Sequence, residues 1–112
     1  MYQQVSEILC MAKQSNTAVI SFICQDYTMA RSVIYAAEKT NTPVLVMLYP
    51  EHVTIQKTTG IAGYAAMVKE LAEEVKVPVG LHLDHSYSLE SLIKAMNAGF
   101  ASVMIDGSAF NL

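Results

Sequence analysis

VPVGLHLDHS, residues 77–86, is the stretch whose reading decides the fold. Residues 77–83 are almost wholly apolar, too few for a stable helix, and they run directly into Asp84 and His85. An apolar run without alternation is the mark of a strand buried on both faces, as in a parallel sheet covered by helices. Polar groups at the carboxyl end of such a strand stand where parallel α/β folds collect their ligand and catalytic residues.

Working outward, the same grammar repeats. LESLIKAMNA (89–98) has helical spacing and is stopped by Gly99, where a left-handed cap costs little. SVMI (102–105) is a further strand that runs into Asp106, Gly107 and Ser108. Upstream, AVISF (18–22) and VLVML (44–48) read as buried strands. The spacing predicts a leading helix over 5–14, with Ser6 free to cap it and Val5, Ile8, Leu9 and Ala12 on one face. A second helix is predicted over 26–39, with Met29, Val33, Ala36 and Ala37 inward and Asn41 and Pro43 ending it. A third, over 64–75, has an acidic outer face. YPEHVTIQKTTGI (49–61) breaks every period and reads as the longest irregular connection. NTPVLVML (41–48) and KVPVGLHL (76–83) echo one another in Pro, Val and the final Leu. Strand and helix alternate in repeating units, which points to a βα barrel or a doubly wound sheet. An eight-unit barrel takes about 250 residues, so four units make half of one.

Composition narrows the class. The chain has 112 residues, 53% hydrophobic and 15% charged, enough to bury the core of one domain, spanning 1–112. The formal net charge of −3 and the scattered Lys and Arg give no footprint for nucleic acid or an anionic membrane. The start carries no basic, cleavable leader, and no apolar stretch reaches the roughly 18 residues of a membrane span. A cytoplasmic protein is expected. Cys10 and Cys24 are too few for a disulfide framework and are expected as free, buried thiols.

The chemistry gathers at the strand tips. His82 and Asp84 are two apart and share a face, and His85 lies one step beyond. Asp106 follows the next apolar run in the same way, and neighbouring strands lie about 4.8 Å apart, so Asp84, His85 and Asp106 can share one site. Two adjacent ionisable groups at a buried tip are costly unless they are paired or bind a metal. His82 is read as a hydrogen-bonded residue behind that site, in support of it. Asp106 before Gly107 also suits a turn or a helix cap. His52, in the long connection, reads as solvated, and the methionines at 11, 29, 47, 67, 96 and 104 read as core packing.

The segment VPVGLHLDHSYSLESLIKAMNAGFASVMIDGSAFNL (77–112) resembles the signature region of class II fructose- and tagatose-bisphosphate aldolases, in which H-x-D-H is followed by a helix and an S-V-M-I-D-G-S strand end. The likeness is looser but collinear upstream, through AVISF and YAAEKTNTPVLV, and so covers the whole chain. It implies the N-terminal half of a TIM (β/α)8 barrel, parallel strands with outer helices. It further implies Asp84 as the acid that shuttles a proton at the C4 hydroxyl, and His85 as one of three histidines on a catalytic Zn²⁺. Asp106 would belong to a second or alternate metal position. The metal's part is Lewis-acid polarisation of the ketose carbonyl. The substrate class is a phosphorylated ketose, fructose or tagatose 1,6-bisphosphate, cleaved to dihydroxyacetone phosphate and glyceraldehyde 3-phosphate by an enzyme expected as a homo-oligomer.

This chain departs from the pattern at Ile23, where family members commonly show Asn, and at Tyr49 and Pro50, where they often show Gln and Ser. Two zinc histidines, an acidic residue and the Gly-rich phosphate loops of the pattern have no counterpart in residues 1–112, so the chain alone is expected to be inactive. The competing expectation is a non-catalytic half-barrel that self-associates or binds a partner through its open sheet edges. A metal hydrolase would call for H-x-H in place of H-x-D-H.

Overall fold

Two of the helices start at a side-chain cap and stop at a left-handed residue. Asp26 caps α2 (Tyr27–Thr40) by accepting from Met29 N at 2.9 Å, and Asn41, in the left-handed region, closes it. Ser88 caps α5 (Leu89–Ala98) through Ser91 N, and left-handed Gly99 ends it. In α1 (Val5–Gln14) the N-cap is Gln4 without a side-chain bond, so Ser6 does not serve the role expected of it. The computed structural model describes residues 1–55 and 59–109.

Four strands, β1 (Ile20–Ile23), β2 (Val44–Leu48), β3 (Val79–Ser86) and β4 (Ser102–Ile105), form one parallel sheet in the order β1-β2-β3-β4. The bounds of β2, α5 and β4 are those read from the sequence. The internal echo has a spatial counterpart: Val44 pairs with Val79 and Leu48 with Leu83, so equivalent positions of the two repeats are hydrogen-bonded neighbours. α4 (Gly60–Glu73) precedes β3.

On one face of the sheet, Val44, Val46 and Leu48 of β2 and Val79, Leu81 and Leu83 of β3 bury against α2, α4 and α5. On the other, Val5 and Ile8 of α1 pack on Leu45 and cover the N-terminal ends of the strands. Gly80 is required there, because a Cβ at this position would stand 2.7 Å from Leu45 Cδ2 and 3.0 Å from Val5 Cγ2. This is half of a (β/α)8 barrel: an arc of parallel strands with outer helices, plugged at the amino ends by α1. The carboxyl ends stay open.

Several expectations change. The connection over 49–61 contains a helix, α3 (Pro50–Ile55), with Pro50 at the first position, where a missing N–H costs nothing; residues 56–58 of that connection lie outside the described residues. Only the two central strands are buried on both faces. β1 and β4 are edges, and Ile20, Phe22, Ile23, Met104 and Ile105 are exposed on them. Met11, Met29 and Met96 are exposed rather than core, and α2 buries Ala30, Ile34 and Ala37 instead of the face centred on Met29 and Val33. Cys24 is buried as expected, but Cys10 is exposed. Among the described residues no helix is long and apolar enough to cross a membrane.

Candidate active site

Successive residues of a regular strand point to opposite faces, so Asp84 and His85 should part. They do not, because β3 carries one extra residue against β4. Leu83 pairs with Val103 but Ser86 pairs with Ile105, and His85 takes up the slack in a left-handed conformation (φ 44°). Positive φ is uncommon for a residue with a Cβ and marks a position held by its surroundings. The bulge swings the His85 ring back toward Asp84, whose Oδ1 stands 3.8 Å from Nε2.

The other ring nitrogen meets the neighbouring strand. His85 Nδ1 is hydrogen-bonded to Asp106 Oδ2 at 2.8 Å, while Ser108 N donates to Asp106 Oδ1 at 2.8 Å. Asp106 N donates to Ser86 O at 2.8 Å, which fixes the aspartate across the bulge. The bond from Asp106, then the charge of Asp84, raises the His85 pKa. Ser108, then His85, draws the Asp106 carboxyl below the ordinary carboxylate value.

His82 lies two residues back on the Asp84 face. Its Nδ1 is hydrogen-bonded to Ser102 Oγ at 2.6 Å, and its Nε2 is 4.0 Å from Asp84 Oδ1. Burial, the larger effect, lowers its pKa against the pull of Asp84. Asp84 is 7% exposed, a carboxylate at the floor of the open end with an imidazole on each side.

Tyr49 and His52 add a wall beside this cluster. Tyr49, directly after β2, sets its ring edge-on to His85 with centroids 6.4 Å apart, and edge-on to His52 at 5.1 Å. The rule that singled out Asp106, a polar residue straight after an apolar run, also points to Tyr49. Burial first, then its bond to Glu51, pushes the Tyr49 phenol up to about 12. His52 is half-buried rather than solvated, with Nε2 3.4 Å from Gln25 Nε2. Ser102 was findable only from register, since it pairs directly with His82.

The donors suit one corner of a divalent-metal site. An imidazole tied to a carboxylate through one nitrogen and open at the other is how protein ligands are commonly held. Among the described residues, no group of three His, Cys, Asp or Glu is gathered for a metal.

Residues 3–112 match the family model described as fructose-bisphosphate aldolase class-II. A Bacillus subtilis (strain 168) protein named "Probable fructose-bisphosphate aldolase" is 40% identical over 106 residues, which cover 93% of this chain and 36% of the relative. A 6-phospho-5-dehydro-2-deoxy-D-gluconate aldolase of Halalkalibacterium halodurans is 38% identical over 106 residues, with the same coverage, 93% and 36%. The crystal structure of the YdjI aldolase from Escherichia coli K12 superposes with a TM-score of 0.86 at 29% identity, covering 99% of this chain and 42% of that one. The chain thus spans about a third of the length of the curated relatives it matches. A family match over all but two residues, on a parallel half-barrel with its polar groups at the strand tips, settles the lineage: the chain belongs to the class II fructose-bisphosphate aldolase family.

Proposed function

We propose that this chain supplies the proton-transfer carboxylate and one metal-ligating histidine to an active site that cleaves a phosphorylated ketose by a retro-aldol reaction. The observation that carries the reading is the bulge at His85, which brings the His85 imidazole and the Asp84 carboxylate, 3.8 Å apart, onto one face of the open strand ends. Asp84 is the group that takes the proton from the C4 hydroxyl as the C3–C4 bond breaks and returns it in the condensation direction. His85 offers Nε2 to a divalent cation, Zn²⁺ by family. Such a cation, when bound, supplies Lewis-acid polarisation of the substrate carbonyl. His82, held by Ser102, backs Asp84 without binding metal. Tyr49 narrows the mouth beside His85.

The substrate class is a phosphorylated ketose, with fructose or tagatose 1,6-bisphosphate first in line. The Halalkalibacterium relative's name makes a phosphorylated keto acid the substrate to test beside them. The experiment is a chimera in which residues 3–112 replace the matching third of the Bacillus subtilis relative, assayed for cleavage with and without Asp84→Ala. A loss of about 100-fold or more with metal still bound is expected for an acid–base group. Unchanged turnover in the variant contradicts the role. The same chimera, assayed on the three substrates, reads the specificity.

A second reading is favoured by the edges. Apolar Ile20 and Phe22 on β1 and Met104 and Ile105 on β4 are exposed on the two edge strands, whose outer sides invite pairing with a second copy. Sedimentation of the 112-residue chain tests it: a dimer supports homo-oligomer formation, and a monomer at high concentration opposes it.

A further inference from the structure

The Asp106 carboxylate has two jobs open to it at this site: to bind a cation directly, or to act on His85. We infer that Asp106 is a positioning residue, which captures the Nδ1–H of His85 and so presents Nε2, lone pair outward, to the cleft beside Asp84. This rests on the reading of His85 as a cation ligand.

The geometry sets the choice. An ionised carboxylate only accepts hydrogen bonds, so the 2.8 Å contact between Asp106 Oδ2 and His85 Nδ1 requires the proton on Nδ1. In the neutral ring the other nitrogen then bears the lone pair. At 3.8 Å, Nε2 and Asp84 Oδ1 are beyond hydrogen-bond length, so Asp84 does not compete for a proton there. Asp106 is itself aimed. It is 9% exposed, its Oδ1 is engaged by Ser108 N, and its own N–H is tied to Ser86 O. The bulge matters twice, since the left-handed turn at His85 points the ring into the cleft and the same irregularity brings Asp106 level with it. A free imidazole on such a turn could rotate or exchange tautomers. One pinned through Nδ1 cannot do so without breaking this bond.

The test is nitrogen-15 NMR of the His85 ring in the metal-free 112-residue chain, at a pH where the imidazole is neutral. The expected result is a protonated Nδ1 and an unprotonated Nε2 in the wild type, with that preference lost in Asp106→Ala. A protonated Nε2 in the wild type overturns the proposal, as does a variant whose tautomer is unchanged. A cadmium-113 titration of the chimera with the Bacillus subtilis relative, with and without Asp106→Ala, then reads the ligating atom. Coupling to Nε2 is expected, with affinity falling about 10- to 100-fold in Asp106→Ala, as for loss of an orienting partner. Coupling to Nδ1 overturns the proposal. No cadmium coupling at either His85 nitrogen, with the Nδ1–H tautomer intact, rejects the ligand reading of His85 while leaving the positioning by Asp106 standing.

Discussion

Asp106 Oδ2 stands 2.8 Å from His85 Nδ1 across the irregularity where β3 and β4 lose register. The pair makes the stability of the metal-free chain depend on pH. His85 is raised above 6.5 in the folded state, so its contribution is complete below 6.5 and is lost as pH climbs through the raised value. Asp106 is lowered beneath 3.8, so its contribution is present above 3.8 and is lost as pH falls through the depressed value. The two overlap fully between 3.8 and 6.5. Thermal unfolding of the wild type and Asp106→Asn should therefore differ most in that window and converge toward pH 9. A gap that widens above neutrality contradicts the pairing.

The left-handed backbone at His85 makes a prediction free of the imidazole. Comparing His85→Gly with His85→Ala removes the ring from both and leaves only the cost of a Cβ at φ 44°. Glycine should melt higher than alanine by about 4 °C or more, the reverse of the order in a regular strand. Alanine melting higher would mean the bulge relaxes once the ring is gone.

Much of this architecture is written in local sequence. Pro43 and Gly99 punctuate the chain sharply, and the elements beside them, β2 and α5, fall where their apolar patterns start and stop. That Asp84, His85 and Asp106 share one end of the sheet follows from strand periodicity and neighbour spacing. Which ring nitrogen faces which carboxylate does not, because it depends on a one-residue slip between strands and on the φ of a single histidine. Pro50 misled in a different way, since the residue that breaks a helix interior is welcome at a helix start. Apolar spacing also shows that a face of α5 is greasy without showing what covers it. Leu89, Ile93 and Met96 are exposed along that helix.

Gly80 tests the amino-end plug. Gly80→Ala places a methyl 2.7 Å from Leu45 Cδ2, 3.0 Å from Val5 Cγ2 and 3.1 Å from Ile8 Cδ1, all on buried side chains. Overpacking of this kind costs about 1–3 kcal/mol. Trimming the nearest neighbour should recover part of it, so Gly80→Ala with Leu45→Val should be less destabilised than the two single changes summed, by about 0.5 kcal/mol or more. Strict additivity in denaturant unfolding would place the strain elsewhere.

Cys24 reports on the open end of the sheet, with Cys10 on α1 as the exposed reference. Cys10 is exposed, whereas Cys24, just past β1, is fully buried, its thiol pushed up to about 11 chiefly by burial. At pH 8 a thiol reagent should therefore modify Cys10 at once and reach Cys24 only through opening of the fold. Tyr64 controls that opening, because its hydroxyl donates to Cys24 O at 2.6 Å in the buried interior and ties α4 to the end of β1. Tyr64→Phe leaves the carbonyl without that donor, a loss of about 1–3 kcal/mol if no water replaces it. When opening is rapid and reversible, this free energy enters the labelling rate directly, so Cys24 modification should accelerate about tenfold or more while Cys10 keeps its rate. Equal acceleration of both thiols would mean the substitution loosens the whole chain, and no acceleration would mean that β1 is held at this end by packing alone.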